Sequence, residues 1–279
     1  MTTTPRIKVR NPEFDWTDAE VVWGPNAEAV IGMEAGSPII TPIEIFLVKV
    51  MRLAKAQLDP VADAELIRDI DLFNRQEVRH YKTHAAFNKL IREWCPDVAP
   101  IEQAYHDEMT AFVAEKPLSW LLGYCEGFEA IGGFVTVDWI EGWNQELAGS
   151  FSATYAQMFR WHAAEEFEHR TVAFRTYHRT FDGTPEEAHE FRLEMFEFAT
   201  THMFGFIGRV RQAMLARFRQ DMTPEEAEAS IQRAEEVEAL IGARMQSKWQ
   251  PLFSPDYDPA NNPIPEHLDE VLSWYPTED

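Results

Sequence analysis

Along most of this chain, apolar residues recur three and four positions apart, and the apolar/polar alternation of a half-buried strand is absent. The first forty residues are the exception. Pro5, Pro12, Gly24, Pro25, Gly32, Gly36 and Pro38 interrupt them, and they read as an irregular N-terminal arm, residues 1–40. Thr41-Pro42-Ile43-Glu44 then reads as a helix start: a capping threonine, proline at the first helical position, and glutamate three residues on. That helix runs to about Leu58. Further helices are predicted over Ala62–Trp94, Glu102–Glu115, Pro117–Trp143 and Ser152–Phe181. Two more follow the capping sequences Thr184-Pro185-Glu186-Glu187 and Thr223-Pro224-Glu225-Glu226. The proline-rich stretch 251–279 reads as an extended tail. The prediction is an all-α fold, a helical bundle over 41–250 with helices added at its C-terminal end.

The informative positions are those where an apolar stripe is broken. On 62–94 the stripe reads Leu66, Ile70, Phe73, Glu77, His80, His84, Phe87, Ile91. A carboxylate and two imidazoles occupy the middle of a core face, and Glu77 and His80 are one turn apart, so they project together. On 152–181 it reads Tyr155, Phe159, His162, Glu166, His169, Ala173, Tyr177, a second Glu-x-x-His with a histidine one turn before it. On 117–143 it reads Leu122, Glu126, Glu129, Gly133, Val137, among the small residues Gly123, Gly127, Ala130 and Gly132. Each interior glycine costs about 1 kcal/mol relative to alanine, so the run implies a close approach by a helix or a ligand. Glu44 stands in line with Leu47, Val48 and Met51.

Burying a lone carboxylate is costly unless it is paired or binds a cation. Glu44, Glu77/His80, Glu126 and Glu166/His169 on four helices form the donor set of a dinuclear carboxylate site: a glutamate from each of two helices and Glu-x-x-His from each of the others. Carboxylate oxygens bridge two cations, imidazole suits Fe(II), and four carboxylates balance two divalent ions. Two iron ions are therefore expected, with manganese or zinc as alternatives. Other readings compete at single positions. Glu129 competes with Glu126, and Glu44 fits a capping box with Thr41. His84 and His162 are extra ligands, groups that orient a ligand, or core histidines, with the better case for His162. Glu165 and Glu168 lie off the stripe and read as solvated.

Composition narrows the function class. The net charge is −22, the wrong sign for non-specific nucleic-acid binding or for an anionic membrane surface, while 45% hydrophobic content is enough for a core. Cys95 and Cys125 make neither a disulfide framework nor a Cys-x-x-Cys pair, so a cytoplasmic setting is expected. No apolar run is expected to reach the roughly 20 residues that span a bilayer.

At these residues the chain resembles a ferritin-like bacterial family labelled "predicted metal-dependent hydrolase". The matching segments are Pro42–Phe46, Gln76–His80 with His84 and Asn88, Glu126–Ala130, and Trp161–His169. The resemblance spans about residues 40–215 and implies that Glu44 and Glu126 are ligands. It is loosest where Gly127 and Glu129 stand, which leaves the Glu126/Glu129 choice open. The run His162-x-x-x-Glu166-x-x-His169 is also similar to that of di-iron arylamine N-oxygenases, which implies a third imidazole ligand at His162.

The resulting expectation is a di-iron oxidoreductase. It activates O2 to oxidise a small apolar or aromatic substrate, with electrons from a ferredoxin, a flavin reductase or the substrate. The alternative is a dinuclear metal-dependent hydrolase, and a homodimer is compatible with either.

Overall fold

The computed structural model describes residues 7–278. Its helices are α1 (Ala27–Glu34), α2 (Ser37–Lys55), α3 (Ala64–Trp94), α4 (Val98–Glu115), α5 (Leu118–Ile140) and α6 (Trp143–Ala148). They continue as α7 (Thr154–His169), α8 (Val172–Thr180), α9 (Pro185–Arg219), α10 (Pro224–Trp249) and α11 (Leu268–Ser273). The fold is all-α. Among the described residues the β-type pairing is one isolated antiparallel bridge between Arg10 and Thr277.

Both predicted capping boxes form. The Thr184 and Thr223 hydroxyls accept the Glu187 and Glu226 amides at 3.2 and 3.3 Å, and each glutamate accepts its threonine's amide at 2.8 Å.

The expected start at Thr41 is corrected. The helix begins four residues earlier, with Pro38 in its first turn, and Pro42 lies inside it. Thr41 caps nothing; its hydroxyl accepts Asn88 Nδ2 at 3.0 Å. The arm is not irregular throughout either, because Ala27, Ala29, Val30 and Ile31 give α1 a fully packed side. Residues 27–55 are long and apolar enough to pass for a membrane span, contrary to the sequence expectation, yet 72% of the apolar 18-residue window within them is buried inside the protein, as a core helix is.

The expected helix over 152–181 is two helices. The chain breaks at Arg170-Thr171, where Arg170 Nη1 donates to the Phe167 carbonyl at 2.7 Å and Nε donates to the Pro259 carbonyl at 2.8 Å. The tail is not simply extended. It carries 3₁₀ turns at Gln250–Phe253 and Pro259–Asn261, then α11, and buries Leu252, Leu268 and Val271.

Helices α2, α3, α7 and α5 pack in a ring, each against the next, with α5 closing on α2. The long α9 covers α5 from outside. Gly123 and Gly127 permit that contact: a Cβ at Gly127 would stand 3.0 Å from backbone atoms of Met195 and Phe196.

Candidate metal centre

The four ring helices turn their interrupted stripes toward one another. Glu44 (α2), Glu77 and His80 (α3), Glu129 (α5), and His162, Glu166 and His169 (α7) all lie at 5% exposure or less. Donor atoms from Glu44, His80 and His162 lie within 4.8 Å of one another, as do those of Glu77, His80 and Glu166, and those of Glu77, Glu129 and His169. The sets share members, which makes one continuous cluster with two ends. At one end His169 Nε2 stands 3.2 Å from Glu77 Oε1, 3.4 Å from Glu166 Oε2 and 3.5 Å from Glu129 Oε2. At the other, Glu166 Oε1 stands 3.0 Å from His162 Nε2 and 3.5 Å from His80 Nδ1, and His162 Nε2 is 3.5 Å from Glu44 Oε1. The two oxygens of Glu166 thus face the two ends.

The structure decides between the two α5 acids. Cys125, Glu129, Gly132 and Thr136 share the inward side, and a Cβ at Gly132 would stand 3.1 Å from Glu166 Oε2. Glu126 is turned toward α9 with Gly123 and Gly127, and its Oε1 accepts Arg192 Nη1 at 3.4 Å. Glu126 is therefore corrected from cluster member to buried ion-pair partner, because the glycine seam fixes which side of α5 meets α9. The capping-box reading of Glu44 also falls, since neither of its oxygens has a hydrogen-bond partner.

Outside the cluster, a layer of bonds fixes the imidazoles. His169 Nδ1 bonds Gln76 Oε1 at 2.9 Å, and Gln76 Nε2 donates to Glu168 Oε2 at 2.9 Å. His80 Nε2 bonds Glu165 Oε2 at 3.0 Å. His84 lies outside the donor sets and relays a bond. Ser37 Oγ donates to Asn88 Oδ1, so it accepts from His84 Nδ1; His84 Nε2 then accepts from His162 Nδ1 at 2.7 Å. In each case the outward nitrogen carries the proton, which leaves an inward lone pair aimed at carboxylates. Lone pairs facing carboxylates repel unless a cation or an added proton lies between them.

Glu165 and Glu168 are buried, not solvated. Arg10 Nη1 donates to Glu165 Oε1 at 3.1 Å, its Nη1 and Nη2 donate to Glu168 at 3.0 and 3.1 Å, and its Nε donates to the Leu272 carbonyl. The N-terminal arm and the tail thus neutralise the outer side of α7. Arg10 and Ser37 escaped the sequence reading of the site, and Gln76 and Asn88 stood in its matching segments without an assigned role. The adjacent pairs Glu165-Glu166 and Glu168-His169 are a signal in hindsight, since α7 is buried on every side from Trp161 to His169.

The protonation states fit a cation site. Burial raises Glu44 and Glu77 well above the usual carboxylate range, reinforced by the Glu77 and Glu166 charges respectively, and pushes Glu129 up to about 7. Burial acts against His80, but its bond to Glu165 and neighbouring carboxylates raise it to about 9; His169 is raised in the same way. Burial, helped by the charge of His80, lowers His162 to about 4. Without metal, the cluster holds protons where cations would sit. Both oxygens of Glu44 and Glu77, Glu129 Oε1, His80 Nδ1 and His169 Nε2 are buried without hydrogen-bond partners, and they converge. Such a donor set fits divalent ions.

A family model described as "Predicted metal-dependent hydrolase" matches residues 8–262. The chain belongs to this family. No curated protein and no solved structure matches it. The family match extends well beyond the 40–215 expected from the motifs, and it includes Arg10 and the turn at Pro259 that receives Arg170. The parts that brace α7 from outside therefore lie within the family's span.

Beside the cluster lies a largely apolar cavity of about 210 Å³. His162 and Glu166 line it, and at 5% they are the most exposed members of the cluster. The α7/α5 side of the site is the one that meets the cavity.

Proposed function

We propose that the chain is a metal-dependent hydrolase whose cluster holds two divalent ions. Glu44, His80 and His162 would hold one ion and Glu77, Glu129 and His169 the other, with Glu166 within reach of both groups. The observation that carries this reading is the convergence of buried, unpartnered carboxylate and imidazole atoms in a chain of the predicted metal-dependent hydrolase family. A pair of divalent ions there supplies Lewis acidity, polarising a scissile group and acidifying water. The chain's own residues do the rest. Gln76, Glu165 and the Ser37–His84 relay hold the imidazole nitrogens in their ligating tautomers. The apolar walls of the cavity exclude bulk water, and Glu166 and His162 present the reacting face to a substrate in it.

The test is metal analysis of the purified protein together with a hydrolase substrate screen. The expected result is about two metal ions per chain, as in dinuclear carboxylate bundles. Activity should vanish on chelation and return with zinc or manganese. A protein that binds no metal under any loading condition overturns the proposal.

A second reading, O2-dependent oxidation by a di-iron centre, is favoured by the third imidazole at His162, since a nitrogen-rich set suits Fe(II). Electrons would come from a ferredoxin or a flavin reductase. O2 consumption by anaerobically reduced, iron-loaded protein, with no gain from zinc, would select this reading.

A further inference from the structure

The cavity has a direction. On α5, Gly132 lies against Glu166, and further along Trp139 packs on Phe159 of α7 with ring centroids 4.5 Å apart and the planes tilted by 33°. The two helices are therefore antiparallel here, and the cavity follows them from Glu166 toward Phe159. Its walls include Ile131, Val135, Met203 and Ile207.

The far end differs. Asp138 and Arg244 line it, and Lys248 adjoins them. Arg244 donates both Nε and Nη2 to one Asp138 oxygen, Oδ1, at 2.8 and 2.6 Å, and Lys248 Nζ reaches the same oxygen at 2.6 Å. Two cations thus share one carboxylate oxygen, so the rim carries a net positive charge in a chain whose total is −22. The Arg244 side chain is 38% exposed and lies over the Trp143 ring at 4.5 Å. With its Nε–Nη2 edge on Asp138, the guanidinium keeps Nη1 and the second Nη2 hydrogen free to donate to a substrate carboxylate beside the apolar cavity.

We infer that the substrate is an amphiphilic organic acid: its carboxylate docks on Arg244 and its apolar body lies along α5 and α7. The bond to be attacked lies beside Glu166. At about 1.5 Å rise per residue, Gly132 and Asp138 are separated by roughly 9 Å along α5, the reach of a medium-length aliphatic or aryl-alkyl acid. This inference rests on the reading of the cluster as the reaction centre and adds Arg244 as the specificity-determining residue, with Asp138 and Lys248 setting its position. A neutral amphiphile of the same shape fills the apolar walls equally well but leaves the rim's positive charge uncompensated.

The test is calorimetric titration with octanoate and octanamide, which share a chain and differ in charge. It uses the wild type, Arg244→Leu and Arg244→Lys, each in metal-loaded and chelated form. Wild type should prefer octanoate by roughly tenfold, the order of one charge-assisted pair at a half-exposed rim. Arg244→Leu should bring the preference below about twofold by removing that pair, with metal content and melting temperature unchanged, and Arg244→Lys should keep part of it. The preference should persist in chelated protein, since the anchor is not the metal centre. Equal binding of the two probes by wild type, no binding of either, or an undiminished preference in Arg244→Leu each overturns the inference. A preference that disappears on chelation assigns the carboxylate to the ions and also overturns it. Failure of the metal reading is distinguishable, because it appears as an absence of bound metal while the Arg244-dependent preference remains.

Discussion

Two glutamates three residues apart on α5 have opposite fates. Glu129 faces the Glu77 carboxylate and the His169 imidazole; Glu126 faces a guanidinium. Glu129→Ala should therefore lower metal content measured by mass spectrometry, while Glu126→Ala should leave it intact. The second variant strands buried Arg192, and breaking such a pair costs about 3–5 kcal/mol, visible as a lower denaturation midpoint. Glu168 makes a finer distinction. It touches no inward-facing donor atom, yet it anchors Gln76, which sets the tautomer of His169. Glu168→Ala should weaken metal binding by about 10–100-fold without abolishing it, the usual cost of removing a group that orients a ligand. Competition against a chelating dye would measure it; unchanged affinity would place Gln76 under other control.

At the scale of the helix, α5 shows how a run of glycines serves two neighbours. Gly127 meets the backbone of α9, which cannot retreat without moving the helix, whereas Gly132 meets the tip of the Glu166 side chain. Gly127→Ala should destabilise the fold by about 1–3 kcal/mol through overpacking. Gly132→Ala should displace the Glu166 carboxylate by a few tenths of an ångström, weakening metal binding while the melting temperature of the metal-free protein barely changes. Comparing melting curves with metal titrations for the two variants checks the contrast. If both lose stability equally, the two glycines are part of one seam. The break between α7 and α8 is also an element-scale event. The α7 members of the cluster end at His169, and the next residue, Arg170, leaves the helix to bond the turn at Pro259.

For the whole molecule, the proton balance sets a pH dependence. Glu129 near 7 and His80 near 9 have folded pKa values above their unfolded ones, as does His169 in direction. Stability from such groups is complete below the unfolded pKa and is lost as pH rises through the folded value. Metal binding must displace these same protons, so metal affinity rises over that interval. The melting temperature of metal-free protein should therefore fall between about pH 4.5 and 9, with Glu129 acting from 4.5 to about 7 and His80 from 6.5 to about 9, while the gap between metal-loaded and metal-free protein widens. Differential scanning fluorimetry across that range measures both. A gap independent of pH would mean that protons are not displaced from the cluster. The molecule also depends on its termini, since the 7–10 segment and the tail meet over α7 through Arg10, Leu272 and the amide of Glu278 bonded to the Val9 carbonyl.

By itself the sequence determined the helical class and both capping boxes, and it singled out Glu77, His80, Glu166 and His169, which stand in one cluster. A carboxylate or imidazole in the middle of an apolar stripe is visible in one dimension, because helical period fixes which residues share a side. It also raised His162, and the structure places that residue against Glu44 and Glu166. Only the tertiary structure decided which of Glu126 and Glu129 turns inward, because that rotation is set by the packing of α5 on α9. Only it revealed that Glu165 and Glu168 are buried, because their cover comes from Arg10, more than 150 positions away in the chain. The start of α2 at Ser37 and the rim at Arg244 were hidden for the same reason. Local pattern specifies which side of a helix is unusual, and the element packed against that side, often distant in sequence, decides what it becomes.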